Sequence, residues 1–143
     1  MTFTLGENSA LLATASIGGV EVANRIFMAP LTRSRADADG TPSSLAAEYY
    51  SQRAQAGLII SEATAVCEQA NGAYMNTPGI YTDRQQDRWA EIASAVQRAG
   101  GKMFVQLWHV GRMAHPDISG FETVGPSAVA AELLTHTPTG KKP

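Results

Sequence analysis

Residues 58–64 of the chain read LIISEAT. The apolar run Leu58-Ile59-Ile60 is short and unbroken, which is typical of a strand buried on both faces of a sheet. Similar runs occur at residues 26–29, where IFMA is closed by Pro30, and at residues 103–105, which read MFV. The sequence therefore predicts three strands of one buried sheet.

A first helix is predicted between the first two of these strands. Ser43 and Ser44 are expected to cap it, because their hydroxyls can accept the free N–H groups of a first turn. Gly57 is expected to end it just before the strand. Its apolar positions, which fall near one side, are Leu45, Tyr49 and Ala56.

A second helix is predicted between the second and third strands. It is expected to start at Thr82 or Asp83, either of which can act as its cap, and to stop at the pair Gly100-Gly101, as helices often do at glycine. Helical spacing relates its apolar positions, which are Trp89, Ile92, Ala93, Val96 and Ala99.

The remaining segments are predicted from their glycines and prolines. Residues 11–23 should form a hairpin, since Gly18-Gly19 between two short runs accepts the positive φ of a tight turn. Residues 34–42, 64–81 and 115–143 should be mostly loop. The order hairpin, strand, helix, strand, helix, strand indicates an α/β fold with a parallel sheet. Three strands and two helices cannot cover both faces of such a sheet, so further elements are expected to complete it.

Polar and small residues follow each predicted strand. In α/β folds, functional groups gather at the carboxyl ends of the strands, so these residues should line one site. Their amide, hydroxyl, aromatic and backbone groups suit hydrogen bonding to the edge of a flat polar heterocycle. The residues are Pro30, Leu31 and Thr32; Glu62, Ala63 and Thr64; and Gln106, Trp108 and His109.

Composition and motifs exclude several other functions. A net charge of −2 without a basic block gives no electrostatic footprint for nucleic acid or an anionic membrane, and no apolar run is long enough to span a bilayer. The sequence has no nucleophile elbow, glycosidase carboxylate pair, metal spacing or P-loop. The lone Cys67 excludes an intrachain disulfide and fits a cytoplasmic location; we expect it to be buried. No basic residue precedes Arg25, so the N-terminus makes a poor signal peptide.

Five blocks of sequence resemble the Old Yellow Enzyme family of flavoproteins, in the order expected for that family. They are NRIFMAPLTR at 24–33, EYYSQRA at 48–54, LIISEAT at 58–64, TPGIY at 77–81 and QLWHVGR at 106–112. The resemblance implies that residues 1–143 are the N-terminal segment of a single (β/α)₈ TIM-barrel domain. They would comprise a lid hairpin at 11–23 and the first three βα units.

The resemblance also implies a cofactor and a reaction. Such enzymes use FMN, reduced by NADPH, to reduce the activated C=C bond of α,β-unsaturated carbonyl compounds or maleimides. Ala29, Pro30, Leu31 and Thr32 would contact the flavin, and the Thr32 hydroxyl would donate toward a ring carbonyl as the one residue with a catalytic role. Ala63 and Gln106 would bind its pyrimidine edge, and Tyr74 and Trp108 would line the substrate pocket. Threonine rather than cysteine at position 32 resembles the N-ethylmaleimide reductase-like branch.

The chain departs from the family pattern in one respect. The family anchors its substrate with a His/His or His/Asn pair spaced three residues apart, followed by a tyrosine proton donor. None of His109, His115 and His136 has such a neighbour three positions on. A second chain carrying the remaining barrel strands, or self-association, is therefore an expected partner. The alternative is a non-catalytic half-barrel that only pairs with a complementary chain. A complete small flavodoxin-like domain is disfavoured, since three strands are too few for it.

Overall fold

A parallel three-stranded sheet with two helices packed against it forms the centre of the structure, a computed structural model that describes residues 10–143. Two short antiparallel hairpins precede and follow this unit. The elements in chain order are β1 (Ala15–Ile17), β2 (Val20–Val22), β3 (Phe27–Met28), α1 (Ala46–Ser51), β4 (Leu58–Ala65), α2 (Asp83–Arg98), β5 (Met103–Trp108), α3 (Pro116–Ser119), β6 (Thr135–Thr137) and β7 (Gly140–Lys142). Single 3₁₀ turns lie at Glu68–Ala70 and Gly111–Met113.

The sheet has the order β3-β4-β5, and both of its strand pairs are parallel. In register, Met28 lies opposite Ile59, which in turn lies opposite Met103. All three carboxyl ends therefore point to the same edge of the sheet. This arrangement confirms the predicted α/β architecture with a parallel sheet, and β3, β4 and β5 stand where the first three strands of the predicted TIM barrel are expected.

Helix α2 begins and ends as its sequence predicts. Thr82 accepts a hydrogen bond from the Gln85 N–H at 3.3 Å, and the Gln85 side chain accepts one from the Thr82 N–H at 3.2 Å, which is a capping box. At the other end Gly100 has a φ of +83°, and its N–H and that of Gly101 bond back to carbonyls in the last turn. This is a Schellman motif, and it confirms the predicted stop.

The core lies between the helices and the sheet. Its buried cluster combines residues of α1, α2 and β4, and the indole N–H of Trp89 donates to the Gly79 carbonyl at 3.1 Å. Burial of these large apolar side chains provides the main stabilisation of the unit. The cluster consists of Ala46, Tyr50, Ile59, Trp89, Ile92 and Val96.

The predicted N-terminal hairpin is present as β1 and β2. Ala15 pairs with Val22, and Ile17 pairs with Val20. Gly18 and Gly19 have φ values of +55° and +83°, as a two-residue turn of this hand requires. The amino-terminal part of the predicted range, residues 11–14, precedes β1, and Leu11 accepts a hydrogen bond from the Arg25 N–H.

The predicted cap and end of helix α1 and the predicted burial of strand β3 were wrong. Helix α1 starts after Leu45, which has no side-chain cap bond and is 68% exposed. The Ser43 hydroxyl instead accepts a hydrogen bond from the Leu45 N–H at 3.3 Å, before the helix begins. The helix also ends at Ser51, and 3₁₀-type bonds carry the chain on toward Gly57. In β3, Phe27 is 38% exposed, because this strand has a neighbour on only one side among the described residues.

The chain after β5 contains more structure than the predicted loop. Helix α3 begins at Pro116, and β6 pairs with β7 through a two-residue turn at Pro138 and Thr139. The Thr137 hydroxyl holds this turn, accepting from the Thr139 N–H and donating to the Gly140 carbonyl. Strands reading THT and GKK have no apolar alternation, so the pattern gave no strand signal.

Three further observations bear on the predicted properties. Cys67 is exposed rather than buried, because it stands in extended backbone just beyond the end of β4. Strand β4 extends to Ala65, so the loop after it begins later than predicted. Within residues 10–143 no helix is long and apolar enough to cross a membrane, and no cluster of His, Cys, Asp and Glu could hold a metal ion.

Candidate functional site

A β-bulge lies at the carboxyl end of β4. Ile60 stands opposite Phe104, but Ala63 stands opposite Gln106, so β4 carries one extra residue there. The Ser61 hydroxyl accepts the Gln106 backbone N–H at 3.0 Å and donates to the Glu62 carbonyl at 2.7 Å. A bulge shifts the alternation of side chains between the two faces of a sheet. It therefore brings Ala63 and Gln106, both predicted flavin contacts, side by side.

The predicted flavin contacts after β3 are mostly open to solvent. Thr32 and Ala29 are exposed, Leu31 is 58% exposed and Pro30 is half-buried. The Thr32 hydroxyl makes no hydrogen bond within the described residues, and neither does the side-chain amide of Gln106. Both groups are therefore available to a ligand at this edge of the sheet.

A buried ion pair joins the segment after β3 to the end of β4. The Arg33 guanidinium donates from Nε to the Glu62 Oε1 at 3.0 Å, and a second guanidinium nitrogen contacts the same oxygen. The Glu62 side chain is only 2% exposed. Its other oxygen, Oε2, is buried without a hydrogen-bond partner among the described residues. The pair thus links the residue next to Thr32 with the residue next to Ala63.

Two tyrosines of α1 enclose this ion pair. The Arg33 guanidinium lies 4.0 Å from the Tyr49 ring centre and 5.0 Å from that of Tyr50. The Tyr50 hydroxyl donates to Glu62 Oε1 at 3.3 Å and accepts the Glu62 N–H at 2.9 Å. Burial, reinforced by the Glu62 carboxylate, raises the pKa of Tyr50 well above its usual value of 10.0, so its hydroxyl keeps its proton even at alkaline pH values where an exposed tyrosine ionises.

Sequence reasoning gave no role to Arg33 or Tyr50 and placed Glu62 only in the list of strand-end residues. A signal for Glu62 was present, because it lies in a strand that is otherwise apolar and small. A carboxylate there requires a charged or hydrogen-bonding partner. The partner could not be identified, since Arg33 lies 29 positions away and its direction depends on the loop after β3.

Tyr74 and Trp108, the predicted pocket residues, are in contact. Their rings stack with an interplanar angle of 5° and centres 6.1 Å apart. Tyr74 is 52% exposed, and it borders cavities of about 530 and 460 Å³. The indole N–H of Trp108 is buried without a partner in the described part of the chain. The loop after β4 thus reaches the end of β5, as a shared pocket requires.

The largest of the cavities described here, about 690 Å³, lies elsewhere. It is bounded by Arg112, residues 114–116, residues 122–131 and Pro143, all beyond the end of β5. Neither Thr32, Ala63 nor Gln106 lines it. The strand ends instead form an open edge, so the site is defined by its side chains rather than by an enclosed volume.

Comparisons with known proteins agree with this geometry. The profile of the NADH:flavin oxidoreductase / NADH oxidase family matches residues 11–139. The chain is 42% identical to chanoclavine-I aldehyde reductase of Penicillium roqueforti over 134 residues, 90% of this chain and 36% of that protein. It is 42% identical to 12-oxophytodienoate reductase 1 of Oryza sativa subsp. japonica over 129 residues, 90% of this chain and 33% of that protein.

A solved structure matches equally well. The Old Yellow Enzyme homologue of Zymomonas mobilis is 49% identical, with a TM-score of 0.89, over 94% of this chain and 38% of that one. The chain thus spans a third to two fifths of the length of the relatives it matches. With its fold, its ordered sequence blocks and this family profile, the chain belongs to the Old Yellow Enzyme family of NADH:flavin oxidoreductases and covers the N-terminal part of the family fold.

Proposed function

We propose that this chain provides the first three strands of an FMN-dependent ene-reductase. The whole enzyme would use NADPH to reduce the activated C=C bond of α,β-unsaturated carbonyl compounds or maleimides. The observation that carries the proposal is the pair of free polar groups, the Thr32 hydroxyl after β3 and the Gln106 amide on β5, at the same edge of the sheet with β4 between them.

The residues at this edge fit the ring of FMN. The Gln106 side-chain amide both donates and accepts, which suits the alternating carbonyl and N–H groups of the pyrimidine edge. Ala63 beside it is small and leaves room for a flat ring. Thr32 offers a hydroxyl donor, and Ala29 to Leu31 offer backbone groups and a hydrophobic surface. We assign these residues to the flavin.

Each assigned residue has a specific task in the reaction. FMN, when bound, supplies the hydride-transfer chemistry that these side chains lack. Thr32 would donate a hydrogen bond toward a ring carbonyl and so tune the reduction potential. Ala63 and Gln106 would fix the orientation of the ring. Tyr74 and Trp108, whose rings stack, would form an aromatic wall for the substrate.

The relatives support a carbonyl substrate and a nicotinamide reductant. Their names refer to an aldehyde, to 12-oxophytodienoate and to morphinone, all of them carbonyl compounds. One morphinone reductase structure contains tetrahydroNAD, an analogue of a nicotinamide cofactor. A carbonyl conjugated to a C=C bond draws electron density from the β-carbon, which makes that carbon an acceptor for hydride.

A second candidate function is a half-barrel that acts only by pairing with a complementary chain or with itself. The apolar side chains exposed on and beside β3 and β5 favour it, since uncovered sheet faces and edges promote association. Burial by the remaining strands of a barrel would remove these side chains from water. The residues are Ile26, Phe27, Leu31, Phe104 and Leu107.

Native mass spectrometry of the protein, purified from a host that makes FMN, tests the proposal. A complex containing this sequence, the rest of a barrel and one FMN would support it, especially if Thr32→Ala and Gln106→Ala reduce flavin occupancy. Gln97→Ala on the exposed side of α2 is the matched control. Flavin-free protein that fails to reduce N-ethylmaleimide with NADPH would contradict the proposal and leave the pairing function in its place.

A further inference from the structure

The segment that carries Thr32 has almost no backbone attachment to the sheet. Strand β3 pairs with β4 over only two residues, Phe27 and Met28. From Pro30 to Arg35 the chain makes no backbone–backbone hydrogen bond with the described residues. Pro30 itself has no N–H to extend a ladder. The position of Thr32 must therefore depend on side chains.

Arg33 is the side chain that ties this segment down. Among residues 30–35 it is the one whose side chain makes hydrogen bonds within the described part of the chain, and both go to Glu62 Oε1. Its guanidinium also lies over the Tyr49 ring, at 4.0 Å. Arg33 is adjacent to Thr32 in sequence, and Glu62 is adjacent to Ala63. A single ion pair thus connects the neighbours of two predicted flavin contacts.

The cluster lies on the helix side of the sheet. Glu62 bonds to Tyr50, which belongs to the core cluster between sheet and helices. Tyr50 also replaces a backbone partner for Glu62, because its hydroxyl accepts the Glu62 N–H. The ion pair thus acts from behind the site. It does not need to contact a flavin to fix where the flavin contacts stand.

We infer that Arg33 and Glu62 are positioning residues, whose ion pair holds Thr32 and Ala63 in register for the flavin ring. This inference rests on the proposed function. A charged pair with its carboxylate 98% buried costs desolvation free energy, and removing one partner leaves the other charge uncompensated. Two apolar residues could have filled the space, but a guanidinium and a carboxylate fix distance and direction together.

The test compares Glu62→Gln, Arg33→Gln and the double variant in the FMN-loaded protein. The readouts are the FMN dissociation constant, the visible absorption spectrum of the bound flavin and its midpoint potential. Each single variant should raise the dissociation constant by about tenfold or more, because a loosened supporting residue displaces the groups it holds. The absorption spectrum and the midpoint potential of the bound flavin should shift as well. The double variant should do no more than either single one, since both remove the same tether.

A matched control is the exposed pair of Arg88 with Glu91 on α2, whose atoms approach to 3.1 Å. Glu91→Gln should leave all three readouts at wild-type values. Tyr50→Phe serves as the second variant if the charge variants fail to fold, because it keeps the ring but removes the hydroxyl that orients Glu62. Tyr50→Phe should shift the spectrum and the midpoint potential of the bound flavin in the same direction as the charge variants do.

The outcomes are distinct. If Glu62→Gln, Arg33→Gln and Tyr50→Phe lower the unfolding free energy but leave flavin affinity, spectrum and potential at the Glu91→Gln values, the pair only stabilises the fold and the inference is wrong. If wild-type protein carries no FMN at all, the proposed function fails first and the inference fails with it. If the wild type binds FMN and the variants bind it more weakly, with a shifted spectrum and midpoint potential, both the proposed function and the inference are supported.

Discussion

The backbone N–H of Gln106 on β5 donates to the side-chain hydroxyl of Ser61 on β4, 3.0 Å away, rather than to a backbone carbonyl. The bulge in β4 is the cause, since it adds a residue and interrupts the ladder between the two strands. Ser61 is completely buried. Its hydroxyl therefore satisfies a half-buried backbone N–H at the point where the bulge interrupts the ladder.

Ser61→Ala should destabilise the protein by about 1–3 kcal/mol, the usual cost of a buried N–H left unsatisfied. Urea unfolding at neutral pH measures this change. Ser94→Ala, at a half-buried position on α2, is the control and should change stability by less than about 0.5 kcal/mol. Equal effects of the two substitutions would mean that Gln106 finds another acceptor when the hydroxyl is removed.

Gly57 is needed for close contact between two backbone segments. A Cβ at this position would lie 2.0 Å from the Asn24 carbonyl oxygen, and the Gly57 N–H also bonds to the Asn24 side chain at 2.9 Å. Gly57→Ala should therefore force the link between β2 and β3 away from β4. We expect a loss of about 1–3 kcal/mol or more in thermal or urea unfolding.

The control for this substitution is Gly125→Ala, where the added Cβ would meet its nearest atom at 3.4 Å, an ordinary contact. Its effect should be small. A Gly57→Ala protein as stable as Gly125→Ala would show that the segment around Asn24 shifts without cost.

Sequence patterns predicted the sheet and α2 because their signals are local. The run LIISEAT, the Thr82 cap and the Gly100-Gly101 stop each depend on neighbouring residues alone, and all three were confirmed. The extent of α1 was wrong because its buried side, Ala46 and Tyr50, is selected by packing against α2. Propensity and spacing give no information about that distant partner.

The residues of the candidate site were proposed from the sequence, whereas the contacts that support them could not be predicted from it. Strand ends and family blocks identified Thr32, Ala63 and Gln106, and the bulge sets the last two side by side. The Arg33–Glu62 pair, the Tyr50 hydroxyl and the Ser61 hydroxyl are long-range contacts across 12 to 45 positions of sequence. Such contacts follow from the fold, so the sequence alone leaves their partners open. The flavin roles of the members remain predictions.

Asp117 attaches the β6–β7 hairpin to α3. Its carboxylate accepts from the Lys142 ammonium and from the Thr139 hydroxyl, the latter at 3.3 Å. The hydrogen bond from Lys142 holds the pKa of Asp117 below its usual value of 3.8. A lowered pKa stabilises the folded hairpin above pH 3.8, and that contribution is lost as the pH falls through the folded-state pKa.

Asp117→Asn should therefore increase hydrogen exchange of residues 135–142 at neutral pH, where the carboxylate is charged in the wild type. In the wild type, the protection factors of the same residues, which correct for the slower intrinsic exchange in acid, should fall on acidification below about pH 3.8. The sheet strands provide an internal reference, because the protection factors of β4 and β5 should stay unchanged. Unaltered exchange in the hairpin would mean that its own turn, held by Thr137, is sufficient.

Tyr50 gives the stability of the protein a pH dependence in the alkaline range. Burial first, and the Glu62 carboxylate second, raise its pKa in the folded state. Above about pH 10 the unfolded chain releases this proton while the folded protein keeps it. The folded state then binds more protons than the unfolded state, so its stability falls as the pH rises, by about 1.4 kcal/mol per pH unit.

Tyr50→Phe removes this dependence, so urea unfolding at pH 9 and pH 11 should separate the two proteins. Wild type should lose about 1.4 kcal/mol more than the variant over this interval, since only the upper unit lies above the unfolded-state pKa. At pH 9 the variant should be less stable by about 1–3 kcal/mol, because the Glu62 N–H loses its acceptor at 2.9 Å. Tyr74→Phe, at a ring that is more than half exposed, controls for the loss of a phenol. Parallel pH curves for wild type and Tyr50→Phe would show that the hydroxyl ionises as readily in the folded protein as in the unfolded chain.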